Sequence, residues 1–240
     1  MRLFVNINLI SIILPVHNQG DHIESLIADY LESIKAIPVP FEMILVVNNS
    51  RDNSFAICQD LASRYSMIRA VHSKTGGWGL SVRLGLQHAH GDLLCYTNSA
   101  RTRPEDLLLF LLYGISNPNV VIKANRKFRD NWRRRLGSLL YNLEVRFLFD
   151  LAYWDINGTP KVFPRSCEKL MQLEETGDII DAEFNVICRR SNYPMIEVPV
   201  VSISRRGGKS TTNYASAVGM YLGAIRLWRK MGTSLTEMQE

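Results

Sequence analysis

Between residues 10 and 122 the chain alternates short apolar runs with longer stretches in which apolar residues recur at helical spacing. The short runs are Ile10–Leu14, Glu42–Val47, Ile68–Val71, Leu93–Tyr96 and Val120–Lys123. Each is apolar on both faces, as a strand buried between two layers of helices must be, so the pattern predicts a parallel sheet. The helical stretches have readable starts. Asp21-x-x-Glu24 reads as a capping box ahead of Leu26, Ile27 and Leu31, and Thr102 precedes Pro104, Glu105 and Asp106 in a first turn. Past Lys123 the alternation becomes irregular. An amphipathic run from Leu136 to Trp154 leads into the turn Asn157-Gly158-Thr159-Pro160. Asp181 and Glu183 then fall near the start of a further helix, and Tyr214, Val218, Tyr221, Leu222, Ile225 and Trp228 form a last amphipathic stretch. No internal repeat is visible. The expected architecture is α/β: one domain, 1–240, with a mostly parallel, Rossmann-like sheet flanked by helices.

Composition narrows the class. With 240 residues, 46% of them hydrophobic, the chain has enough apolar material for one sizeable core, which excludes a disordered tail and a disulfide-stapled miniprotein. Cys58, Cys95, Cys167 and Cys188 form no Cys-x-x-Cys pair and lie mostly in apolar stretches, so they read as buried thiols of a reducing compartment. The stretch before Leu14 is interrupted by Asn6 and Asn8 and lacks a small-residue cleavage site, so it reads as a first strand rather than a leader. The longest apolar run, Leu107 to Tyr113, is far too short to cross a bilayer. The expected location is cytoplasmic, in solution or at the cytoplasmic face of a membrane.

In a sheet of this kind ligands bind beyond the carboxyl ends of the strands. The loops there are polar, basic or glycine-rich: 17–20, 48–52, 73–79 and 97–101. About 1–125 read as a nucleotide-binding half, about 126–212 as an acceptor half, and 213–240 as a C-terminal amphipathic helix and tail. Three segments, Leu14-Pro15-Val16-His17-Asn18, Val47-Asn48-Asn49-Ser50-Arg51-Asp52 and Gly91-Asp92, resemble the inverting glycosyltransferases of family 2. Later segments resemble their dolichyl-phosphate mannose synthase branch: Val121 to Arg126, the arginine-rich run to Arg134 and Ser138, Asp155 to Phe163, Asp181-Ala182-Glu183, and Glu197 to Val200 before Gly207-Gly208-Lys209-Ser210. The resemblance implies a GT-A fold that binds a nucleotide diphosphate sugar and transfers the sugar to an acceptor. It assigns Pro15, His17, Asn18, Asn48, Ser50, Asn98, Ser99 and Lys209 to the donor, and Arg126, Arg134, Ser138 and Lys161 to an acceptor phosphate.

The chain departs from the family where its Asp-x-Asp would hold a divalent cation against the diphosphate: here stands Asn98-Ser99-Ala100. An amide and a methyl cannot bind Mg²⁺ or Mn²⁺ as two carboxylates do, so no metal ligand is assigned and no cofactor is firmly expected, although a divalent metal stays open. Breaking the sugar–phosphate bond still puts negative charge on the leaving diphosphate. Arg101, directly after the altered motif, is the expected replacement, with Arg103, Arg126 or Lys209 as helpers, because a guanidinium forks onto phosphate oxygens without needing carboxylates around it.

On the acceptor side, Arg126, Lys127, Arg129, Arg133, Arg134 and Arg135 stand against Asp130 alone. Such a run binds phosphate or an anionic leaflet; no nucleic-acid motif accompanies it, and nucleic acid is not an expected partner. Followed by an apolar helix, it suits a polyprenyl phosphate, with a membrane surface and a second subunit as further candidate partners. A saccharide hydroxyl is the alternative acceptor. It would need a base, for which Asp181 is the candidate. A non-enzymatic alternative is a degenerate member that binds a nucleotide sugar, or serves as a scaffold, without turnover. Gly207-Gly208-Lys209-Ser210 mimics a phosphate-binding loop, but Ile203 stands where its first glycine belongs.

Overall fold

The computed structural model describes residues 7–128, 132–201 and 214–236; within these, the side chains of residues 127, 128, 132–135, 214–217 and 233–236 lie outside the description. Its elements follow the expected alternation: β1 (Ile10–Val16), α1 (Ile23–Ile34), β2 (Phe41–Asn48), α2 (Ser54–Arg64), β3 (Ile68–Ser73), α3 (Trp78–His88), β4 (Leu93–Tyr96), α4 (Pro104–Ser116) and β5 (Val121–Phe128). The second half adds α5 (Trp132–Phe149), β6 (Lys161–Pro164), a 3-10 turn at Glu168–Gln172, α6 (Ile180–Arg190), β7 (Met195–Val201) and α7 (Tyr214–Thr236).

The seven strands order as β3-β2-β1-β4-β6-β5-β7. All neighbours run parallel except β6, which is antiparallel to both β4 and β5. The mostly parallel α/β fold is therefore as expected, and β6 and β7 extend the sheet into the second half. Strand β1 shows why the core has two layers. Ile10, Ile12, Leu14 and Val16 point to the side where α1, α2 and α4 pack, while Ile13 points to the side of α3 and α6. A third cluster joins α5, α6 and α7 around Tyr141, Val145, Val186, Ala224 and Leu227. All four cysteines are buried free thiols, and burial pushes Cys58 up to about 12. Among the described residues no helix is long and apolar enough to cross a membrane.

Two local expectations are corrected. The capping box at Asp21 does not form: α1 starts after His22, whose Nδ1 meets Asp21 Oδ1 at 2.5 Å, and the first turn is held instead by the His22 and Ile23 N–H groups on Gln19 O. Thr102 likewise caps nothing. Its hydroxyl pairs with Thr97 at 2.6 Å, and Arg103 becomes the cap ahead of Pro104. The run expected from Leu136 to Trp154 is the helix Trp132–Phe149, ended by Asp150 in a left-handed conformation, φ 50°.

Candidate active site

Side-chain to backbone bonds sew the loops after β1, β2 and β4 into one cluster. His17 Nδ1 lies 2.7 Å from Asn48 O, Ser50 Oγ accepts the Asn18 N–H at 3.1 Å, and Asn18 Oδ1 accepts the Arg51 N–H at 2.8 Å. Asn18 and Asn49 take positive φ, 49° and 44°, a region that asparagine tolerates better than most side chains and that turns the chain sharply at the strand ends. Asn48 is buried, and its Nδ2 donates to Val16 O across the β1–β2 seam. Pro15 sits at the end of β1, where its carbonyl lies 2.9 Å from the Ser99 hydroxyl; Gln19 Oε1 lies at the same distance from that hydroxyl, so the two oxygens share its one proton. The structure thus brings Pro15, His17, Asn18, Asn48, Ser50, Asn98 and Ser99 together. Lys209 lies outside the described residues.

The loop that replaces the acidic motif is a tight turn. Asn98 Oδ1 accepts the Ala100 N–H at 3.1 Å, Asn98 O accepts the Arg101 and Thr102 N–H groups, and Ser99 and Ala100 are buried. The amide oxygen is engaged with its own loop, the hydroxyl faces the β1 loop, and the third position is a methyl. This donor set does not fit a divalent cation. Among the described residues no group of three or more His, Cys, Asp or Glu side chains gathers elsewhere to hold one. Arg101 follows the turn, half-buried. The proposed helper Arg103 is held in a two-pronged pair by Asp106, at 2.9 and 2.8 Å.

The second half of the chain contributes to three ion pairs. Asp155, at the turn before β6, grips Arg126 with both oxygens at 2.7 Å and also accepts its backbone N–H at 2.9 Å. A guanidinium carries five N–H donors, so this grip fixes its plane without exhausting it. Lys123 on β5 donates to Glu197 on β7 at 2.8 Å, and Lys161 on β6 donates to Asp181 on α6. Sequence reasoning placed Lys161 on the acceptor phosphate; the structure buries it completely against Asp181. Burial lowers its pKa to about 8 in spite of the neighbouring carboxylate.

Asp181 is the junction of this region. Besides Lys161 it accepts the Tyr96 hydroxyl at 2.9 Å on Oδ1 and the Trp78 Nε1–H at 3.1 Å on Oδ2, and only 4% of the residue is exposed. Tyr96 ends β4 and Trp78 opens α3, so one carboxylate ties both halves of the sheet to α6. The tie to Trp78 was not read from the sequence, because nothing in an isolated tryptophan after a glycine pair marks it as a partner of a residue 103 positions away. Ser138 lies half-buried on α5; the side chain of Arg134, four residues before it, falls outside the description.

A mostly parallel sheet with polar strand-end loops stitched together, and a second half added through an inserted antiparallel strand, defines the GT-A class of glycosyltransferase fold. The chain belongs to glycosyl transferase family 2, whose profile matches residues 11–171. It is 23% identical over 224 residues to the undecaprenyl-phosphate 4-deoxy-4-formamido-L-arabinose transferase of Proteus mirabilis, covering 92% of this chain and 68% of that one. The protein of the same name from Edwardsiella ictaluri is 24% identical over 211 residues, covering 86% and 64%. The chain thus spans about two thirds of the length of these curated relatives. Among solved structures, mannosyl-3-phosphoglycerate synthase from Rubrobacter xylanophilus is similar with a TM-score of 0.72 at 17% identity, covering 98% of this chain and 76% of that one. Glucosyl-3-phosphoglycerate synthase from Mycobacterium tuberculosis, solved with Mn²⁺, uridine diphosphate and its product, has a TM-score of 0.66 at 14% identity, covering 91% and 77%. These two similarities establish the fold.

Proposed function

We propose that this glycosyltransferase moves a sugar from a nucleotide diphosphate sugar to a polyprenyl phosphate at a membrane surface. A phosphate oxygen of the acceptor attacks the anomeric carbon as the bond to the donor's diphosphate breaks; the bonding pair leaves with the nucleoside diphosphate, and the carbon inverts. The observation that carries the choice of acceptor is Asp181. A saccharide hydroxyl must lose a proton and needs a base, whereas a phosphate is already ionised. The carboxylate expected to be that base is buried with three donors on its two oxygens. A positioning role suits it better, holding Trp78, Tyr96 and Lys161 in place. The names of the curated relatives, undecaprenyl-phosphate transferases, point the same way.

In this reading the loops from Pro15 to Ser99 hold the donor, and Arg126, fixed by Asp155, joins Arg134 and Ser138 on the acceptor phosphate. Transfer needs no divalent metal, and Arg101 stabilises the leaving diphosphate. One donor aimed at developing negative charge is worth about 10²–10³ in rate, so Arg101→Gln is expected to lower kcat by that order. The test is a panel of nucleotide sugars offered to the purified protein with either a polyprenyl phosphate or neutral saccharides. Glycosylated lipid phosphate with the opposite anomeric configuration is expected; product on saccharides alone would overturn the choice of acceptor, and no product with any pair would favour the non-catalytic alternative.

A further inference from the structure

Helix α5 buries Tyr141, Val145 and Phe149 and exposes Leu136, Leu139, Leu140, Leu143 and Phe147, the last at 88%. The exposed five recur at i, i+3, i+4, i+7 and i+11, which puts them in one stripe on the side opposite the buried one. A surface helix needs a single apolar stripe, and this one has two. Helix α7 repeats the arrangement: Ala224 and Leu227 are buried, while Val218, Leu222, Ile225 and Trp228 are exposed. Both helices press their inner faces on the same cluster, and they touch side by side. The Tyr141 and Tyr221 rings lie 5.9 Å apart, and the Tyr221 hydroxyl donates to Gly137 O at 2.8 Å. Their outer faces therefore lie on one side of the molecule. Single exposed apolar residues are ordinary, but nine on two adjacent helices form a patch that calls for an occupant.

Charge selects the occupant. Helix α7 contains Arg226 and Arg229 and no acidic residue, while its Lys230 pairs with Glu174 and Glu175; α5 contains Arg133, Arg134, Arg135 and Arg146 against Glu144 alone. A second copy of the same face would set cations against cations, whereas an anionic bilayer offers both the opposite charge and hydrocarbon. In the loop after α5, the exposed Trp154 ring lies 3.9 Å beneath the Arg146 guanidinium, the pairing of indole and cation that suits the headgroup layer.

We propose that α5 and α7 together form a docking face for an anionic lipid bilayer, with Leu143 and Phe147 among the side chains that enter it. The purpose of this face rests on the polyprenyl-phosphate reading, since α5 also carries Arg134 and Ser138; its test does not. The full chain is sedimented with vesicles of phosphatidylcholine mixed with phosphatidylglycerol, and with phosphatidylcholine alone. The wild type is expected to pellet with the mixed vesicles and far less with the neutral ones. Leu143→Glu with Phe147→Glu is expected to lower partition by about tenfold or more, as the loss of two apolar side chains from hydrocarbon implies, with an unchanged melting temperature because both residues are exposed. Leu222→Glu is expected to do the same from α7. Equal pelleting of variants and wild type, or a wild type that stays in the supernatant, would overturn the proposal; so would a wild-type dimer in the ultracentrifuge that these substitutions split. Vesicle binding without sugar transfer would sink the catalytic reading alone, and transfer to a detergent-dispersed polyprenyl phosphate without vesicle binding would sink this one alone.

Discussion

Asp181 and Lys161 show how far residue type alone leads. An acidic residue at a helix start beyond a parallel sheet suggests a base, and a lysine after a Gly-Thr-Pro turn suggests a phosphate ligand, yet the two are buried against each other. Partner choice is a tertiary fact that spacing does not encode. Two consequences separate a positioning role from a base. Asp181→Asn leaves a buried ammonium facing an amide and is expected to cost about 3–5 kcal/mol of stability, read by urea unfolding. Surviving activity should keep its acidic limb in the pH–rate profile; loss of that limb with stability intact would mark a base. The second consequence is a pH effect. Lys161 titrates near 8 in the folded chain and near 10.5 unfolded, so between these values the unfolded chain holds the extra proton and stability rises with pH. Below about 8 the burial cost is constant. Unfolding midpoints should show this rise relative to Lys161→Met, and parallel curves for the two chains would contradict the assignment.

At the scale of elements, the join between the two halves of the chain depends on the start of α3 lying flat on the segment 175–177. The Leu80 N–H donates to Thr176 O at 2.8 Å, and a Cβ on Gly79 would sit 2.5 Å from Glu175 O and 2.7 Å from Gly177 O. Both neighbours are backbone and cannot swing aside. Gly79→Ala is expected to destabilise by about 1–3 kcal/mol and to loosen the Trp78–Asp181 bond next to it. Gly232→Ala in α7, where an added Cβ meets nothing within 4 Å, should instead stabilise by about 0.5–1 kcal/mol. Thermal unfolding of the two variants beside wild type checks the pair; equal shifts would contradict the close approach. The strands β1 to β5 were legible because each contains a short apolar run, even though the edge strand β3 leaves Arg69 and His72 exposed. Strand β6 was not, since Lys161 and Pro164 break its apolar run and its burial comes from partners 65–71 positions away on β4. The capping box at Asp21 failed for a local reason: the carboxyl finds the His22 ring closer than the helix N–H groups.

At the scale of the molecule, the order of motifs along the chain was enough to foresee the fold, because strand order in a parallel sheet collects the loops at one end. It was not enough to foresee the outward stripes of α5 and α7, since periodicity marks an apolar face without saying what covers it. In the proposed reaction, transfer proceeds with the Asn98 turn and Arg101 in place of a metal. The most direct measurement is release of nucleoside diphosphate from a panel of nucleotide sugars, in EDTA and in Mn²⁺, with and without polyprenyl phosphate. One donor should turn over in EDTA only when the lipid phosphate is present, at a rate that Mn²⁺ leaves unchanged and Arg101→Gln lowers. Turnover that appears only when Mn²⁺ is restored would contradict the account.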